Sequence, residues 1–162
     1  MKHVALALTL AGTLTGCGVK SPSEESESAT MAVAALPNLR FVGLNVEVHV
    51  PSGGTIVVAK DTVFKVPCNT SGLRARYKYG NGGPVIAGAH VNAGITLGGA
   101  TYPFAQAALA AGASREAWAS WGTLTPANTP ISVAIRLDNG GAVAESNELD
   151  NVWKAQVIRV CP

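Results

Sequence analysis

Charge is scarce in this chain. Only 14% of its 162 residues are Asp, Glu, Lys or Arg, well below the usual quarter. That excludes a long solvated helix, a coiled coil and an acidic disordered chain. The sign is balanced as well: 12 basic against 10 acidic residues give +2, a surface with no electrostatic reason to bind nucleic acid. Aromatics make up 6% and histidines number three. Gly-x-Ser-x-Gly and His-Glu-x-x-His are both missing, as is a Gly-rich phosphate loop between a strand and a helix. Once residues 1–16 are set aside, the only imidazoles are His49 and His90, and both fall on the polar phase of predicted strands. A catalytic site needs an activated group, and nothing here supplies one by pattern. What is plentiful is glycine, 18 residues, within a composition that is 48% hydrophobic. At this length one domain with a real core is expected.

The start of the chain reads as a targeting signal. Met1-Lys2-His3 is a short basic head, and Val4–Leu14 is an apolar run broken only by Thr and Gly. Such a run is too short for a mature membrane span, which needs about 20 residues, and fits a secretory h-region. Leu14-Thr15-Gly16-Cys17 follows and resembles the lipobox of bacterial lipoproteins. The resemblance implies removal of residues 1–16 and acylation of Cys17 as the new N-terminus. Two or three acyl chains anchor stably, at roughly 0.8 kcal/mol per buried CH₂. Residue 18 is Gly and not Asp, which points to the outer membrane of a double-membraned cell. Loss of Lys2 with the leader leaves a net charge of +1. Residues 17–36 read as a lipidated Cys and a flexible linker. Ser21–Ser28 is polar and acidic with nothing to bury, and an arm of about 19 residues reaches ~25 Å.

With Cys17 spent on lipid, Cys68 and Cys161 remain, 93 residues apart. A pair in an exported chain points to a disulfide, which would pin the C-terminus and contribute roughly 4–5 kcal/mol in the chain-entropy model.

From Pro37 onward the period is two. Leu44, Val46, Val48 and Val50 alternate with polar residues. So do Leu73, Ala75, Tyr77 and Tyr79; Ala87 through Leu97; and Ile131, Val133, Ile135 and Leu137. Each run reads as a strand with one face to a core and one to water. Gly-, Pro- and Asn-rich turns separate them, including Pro51–Gly54, Gly80–Pro84 and Asp138–Gly141. Phe104–Ala111 is compatible with a short helix, or with a loop and the start of a strand. The pattern predicts an all-β fold, a single antiparallel sandwich of about seven or eight strands over residues 37–162.

Three segments resemble the CARDB domain, the "cell adhesion related domain found in bacteria". They are Tyr77–Gly83, a strand ending in an Asn-x-Gly turn; Leu109–Ser114 followed by Trp118 and Trp121; and Asp138 followed by Val143–Asn151. The last is the most specific, although Asp150 stands where the family more often has Asn. The resemblance spans about residues 73–160 and implies an immunoglobulin-like sandwich in an exported, non-catalytic module.

The acid-rich segment admits two readings. Asp138, Glu145, Asn147, Glu148, Asp150 and Asn151 form either a structural turn, with side chains bonding nearby backbone, or a Ca²⁺ site built from hard oxygen donors. No other cofactor is indicated. Arg74, Arg76 and Lys78 make a basic stripe on one strand. Trp118 and Trp121 lie three apart on opposite strand phases, so one of them is available to stack on a sugar or dock a partner. Together these five residues form the candidate contact surface. The expectation is a non-enzymatic, lipid-anchored envelope protein that binds an envelope protein or polysaccharide, or builds an envelope assembly. A small envelope hydrolase or a metal-binding lipoprotein is the alternative, and the sequence leaves the oligomeric state open.

Overall fold

A computed structural model describes residues 35–51, 53–96 and 100–162. The expected leader, the lipobox-like segment with Cys17 and the expected linker up to residue 34 lie outside the described residues.

Among the described residues ten strands form two stacked sheets: β1 (Leu39–Phe41), β2 (Asn45–Val50), β3 (Gly54–Ala59), β4 (Val63–Pro67), β5 (Leu73–Asn81), β6 (His90–Thr96), β7 (Thr101–Gln106), β8 (Ser114–Trp121), β9 (Ile131–Arg136) and β10 (Val152–Val160). In the first sheet β5 is central. It pairs with β8 along one edge and with β2 and β1 along the other, and β3 follows beyond β2. The second sheet runs β4-β10-β9-β6-β7. No helix occurs among the described residues, which form a β-sandwich of two five-stranded sheets.

Two features differ from the expectation, and one open alternative closes against a helix. Ten strands replace seven or eight because β1 is too short to show a period and β7, Thr-Tyr-Pro-Phe-Ala-Gln, carries a proline where a strand is not read. The helix-compatible stretch is extended: Phe104–Gln106 belongs to β7 and Leu109 bridges Ala87. The sandwich is also not purely antiparallel, since β4 runs parallel to β10 with Pro67 opposite Val160.

Two tryptophans join the sheets. Trp121 on β8 stacks on Trp153 of β10, centroids 6.0 Å apart at 22°. The Trp121 indole donates across the sandwich to the Ala134 carbonyl at 2.8 Å, and that of Trp153 donates back to the Leu44 carbonyl at 2.9 Å. Burying an indole is favourable only when its N–H finds an acceptor; here each does so on the opposite layer. Around them pack Leu39, Val48, Ala75, Tyr79, Ile135 and Val157.

The phase of β6 is inverted. Val91 faces solvent, whereas His90, Asn92 and Thr96 are buried. Partners inside explain it. Asn92 donates to the Tyr77 hydroxyl at 2.9 Å and accepts from the Asp138 backbone at 3.2 Å. His90 bonds the Gly88 carbonyl at 2.9 Å and meets Tyr79 edge-on. The expected exposed imidazole at 90 is therefore a buried structural one. Between His90 and Thr96 sits Gly94, where a Cβ would lie 2.1 Å from the Ser120 carbonyl oxygen. The two backbones touch there, and only glycine allows it. Leu44 also departs from its expected inward phase, at 68% exposure. It follows Gly43, whose φ of +91° breaks the strand before β2 begins.

Candidate functional site

The disulfide forms between Cys68 and Cys161, Cα atoms 4.5 Å apart. The parallel register explains it. Pro67 and Val160 are partners at the end of the β4–β10 ladder, so the next residue on each strand is carried to the same place. Asn128 bonds both the amide (2.8 Å) and the carbonyl (3.1 Å) of Cys161, and the chain end is held twice.

The acid-rich segment folds into a turn that uses its own carboxylates. Asp138 accepts from the Ala142 amide at 3.0 Å and the Val143 amide at 2.8 Å. Asn147 accepts from the Leu149 amide at 3.0 Å, and Glu148 from the Glu145 amide at 3.3 Å. Asn151 donates to Glu145 at 3.0 Å and to Glu148 at 3.2 Å. Two contacts tie the turn to the start of β1: Glu145 accepts from the Leu39 amide and Asp150 from the Asn38 side chain. Glu145, Glu148 and Asn151 are thus brought together, while Asp138, Asn147 and Asp150 are each committed elsewhere. Among the described residues no group of three or more His, Cys, Asp or Glu side chains is placed to hold a metal ion. Burial pushes the Glu145 carboxyl up to about 7. The Leu39 amide and Asn151 oppose that rise, and the nearby Glu148 and Asp138 add to it.

Asn81 is the residue that sequence reasoning undervalued, as one letter of a turn. It is buried, and its side chain bonds four backbone groups. It accepts from the amides of Asn38 and Gly83, both at 3.0 Å, and donates to the carbonyls of Val85 at 2.7 Å and Leu109 at 3.1 Å. With Glu145 it fastens the point where the chain enters β1. The signal was the Asn-Gly-Gly triplet, but the partners lie far off in sequence.

The outer face of the first sheet holds the candidate contact residues. Trp118 is 37% exposed, while Trp121 is in the core. Trp121 therefore leaves the expected surface, its phase on β8 being inward like that of Ala117 and Ala119. His49 from β2 and Trp118 from β8 meet above β5, ring centroids 4.8 Å apart, and the Arg74 guanidinium carbon lies 4.8 Å from the Trp118 ring centre. Cation–π geometry of this kind holds the guanidinium against the ring. Arg76 is occupied: it bonds Glu47 at 2.6 Å and lies 3.7 Å from Glu116, pairs that keep its guanidinium more firmly protonated than usual. Lys78 is exposed and opposite Glu116 in register. The stripe therefore divides into one neutralised cation, Arg76, and the Arg74–Trp118–His49 cluster. Beside this cluster a depression of about 540 Å³ opens, lined by His49, Thr55, Ser71, Leu73 and Arg74 among others, with no carboxylate in its wall. His49 points outward on the first sheet and His90 inward on the second, so the two imidazoles do not converge.

No family model matches the chain, and no curated protein matches it. Among solved structures the chain is similar to the CARDB domain of a Pyrococcus furiosus protein. The crystal structure of that domain, in complex with di-metal ions, is 16% identical over 76% of this chain and 90% of its own, with a TM-score of 0.48. Its solution NMR structure is 17% identical over 76% of this chain and 97% of its own, with a TM-score of 0.49.

Proposed function

We propose that this chain is a non-enzymatic, lipid-anchored module of the cell envelope whose sandwich binds an envelope protein or polysaccharide through the outer face of its first sheet. One observation carries the reading: a partly exposed tryptophan, Trp118, lies between His49 and Arg74 on the outer sheet face, beside an open depression with no acid in its wall. Exposed aromatic–arginine clusters are where binding energy concentrates, because a rigid ring and a planar cation lose little freedom on contact. The lipobox Leu14–Cys17 supports the anchor, and the acidic linker supports a stand-off from the membrane. The Asp138–Asn151 segment serves as a structural turn, since its carboxylates accept backbone amides of the same fold.

The test is a photo-crosslinking side chain at position 118 in the full chain on intact cells, with position 91 as a control. Val91 is equally exposed but sits on the second sheet. Adducts at 118 and few or none at 91 support the reading; equal yields, or none at either site, overturn it. Labelled palmitate that enters the wild type and not Cys17→Ala tests the anchor separately.

A further inference from the structure

We propose that β3 is a dimerisation edge, on which two copies of this chain pair antiparallel about a two-fold axis at Val57 and join their first sheets into one. β3 ends the first sheet; its one strand neighbour among the described residues is β2.

The direction of its free backbone groups follows from the hairpin. The Lys60 amide bonds the Leu44 carbonyl at 2.8 Å, and the tight turn returns the Gly53 amide to Val50 at 3.1 Å. Lys60 opposite Leu44 is thus a hydrogen-bonded pair. Antiparallel ladders alternate, so the pairs of residues 58, 56 and 54 with β2 are hydrogen-bonded as well. The amides and carbonyls of Thr55, Val57 and Ala59 are left pointing away from β2. Thr55 and Val57 also carry exposed side chains, Val57 at 64%.

A strand like this is normally guarded by charge or proline. The other sheet edges of this molecule are: Lys65 and Pro67 on β4, Pro103 on β7, Arg115 and Glu116 on β8, Arg40 on β1. β3 reads Gly-Thr-Ile-Val-Val-Ala and has neither.

The choice of a second copy rests on self-complementarity. With the axis at Val57, that residue exchanges both its bonds with its own copy, and Thr55 meets Ala59 on either side. No charge faces another across the seam. The nearest acid, Glu47, is opposite Val57 on β2 and is already held by Arg76. A two-fold contact closes on itself and does not propagate.

Two measurements test it. In intact cells, Val57→Cys in the full chain is expected to give a disulfide-linked band at twice the monomer mass, and Val91→Cys none. For the purified full chain, sedimentation velocity over about 1 to 100 µM is expected to show a monomer–dimer equilibrium. Val57→Lys sets two like charges side by side and weakens it several-fold, whereas Val57→Thr keeps it. Because Val57 is exposed, both variants are expected to melt within a few degrees of the wild type, so loss of dimer is not loss of fold. A chain that stays monomeric throughout, or a dimer indifferent to Val57→Lys, overturns the proposal. So does a Val57→Cys adduct with a protein of another mass, which assigns the edge to a different partner.

Discussion

Replacing Asn81 by Ala removes the one side chain that closes four backbone groups from separate parts of the chain: the Asn38 and Gly83 amides and the Val85 and Leu109 carbonyls. Each buried group left without a partner costs about 1–3 kcal/mol, and the open ends of the turn recover part of that from water. A net loss of about 3–5 kcal/mol is expected, in the range that broken buried networks reach. For a folded part of this size each kcal/mol moves the melting point by roughly 4 °C, so the midpoint falls by about 15 °C. Thermal unfolding followed by circular dichroism, with the disulfide intact, measures it.

Two further variants separate the cause from simple cavity formation. Asn81→Asp has the same shape and keeps both accepting contacts, but turns two donors into acceptors facing carbonyls. It is expected to be destabilised nearly as much at neutral pH and to recover in acid as the carboxyl gains a proton. Asn147→Ala breaks one bond on an exposed loop and is expected to cost less than about 1 kcal/mol. Asn81→Ala unfolding within about 1 kcal/mol of the wild type refutes the idea that this residue fastens the entry to β1.

Four other outcomes follow from the same geometry. Gly94→Ala forces a methyl into the Ser120 carbonyl and is expected to unfold the chain or cost more than about 3 kcal/mol; a melting point within a few degrees of wild type contradicts that backbone contact. Cys68→Ser with Cys161→Ser is expected to lower stability by roughly 3–5 kcal/mol in denaturant titration, while the Asn128 bonds keep the last residues in place. The Glu145 carboxyl is held up at about 7 in the fold against 4.5 unfolded, so the native state binds this proton more tightly. Its contribution is fully present below pH 4.5 and is lost as pH rises through 7; relative to Glu145→Gln, the wild type should gain stability as pH falls from 8 to 5, and a relative loss shows that the amide bonds to the carboxylate dominate instead. Millimolar Ca²⁺ added after chelation is expected to shift the melting point by less than about 1 °C, because the turn's carboxylates already accept amides; a large rise, as ligand linkage would give, shows that the turn holds the ion.

How far the sequence reveals this molecule depends on whether a residue's partners are local. β5 and β9 were legible because their alternating residues answer to one rule, core on one side and water on the other. Val133 and Ile135 are buried as that rule requires. In β6 the rule fails for a nameable reason. His90 and Asn92 read as solvent-facing, but Tyr77, Gly88 and Asp138 supply partners that make the polar face the stable inner one, and Gly94 lets β8 close over it. The disulfide was legible from the cysteine count and the expected export. The parallel β4–β10 pairing that positions it was not, because it joins strands about ninety residues apart, and neither Val63–Pro67 nor Val152–Val160 states its direction.

The same distinction bears on the contact surface. A stripe of Arg74, Arg76 and Lys78 suggests one uniformly basic face when β5 is read alone. Its neighbours change that: β2 and β8 bring Glu47 and Glu116 to Arg76, and His49 and Trp118 to Arg74. Paired surface charges contribute little, so Arg76 acts as part of the sheet's own fabric. Arg74 is left with a ring and an open depression, a cation whose remaining donors point to no carboxylate of the described fold. If a partner carries an acidic group, this is where the sheet offers it both a charge and a flat apolar surface. A partner's affinity should then fall with Arg74→Ala and Trp118→Ala and be nearly indifferent to Arg76→Ala.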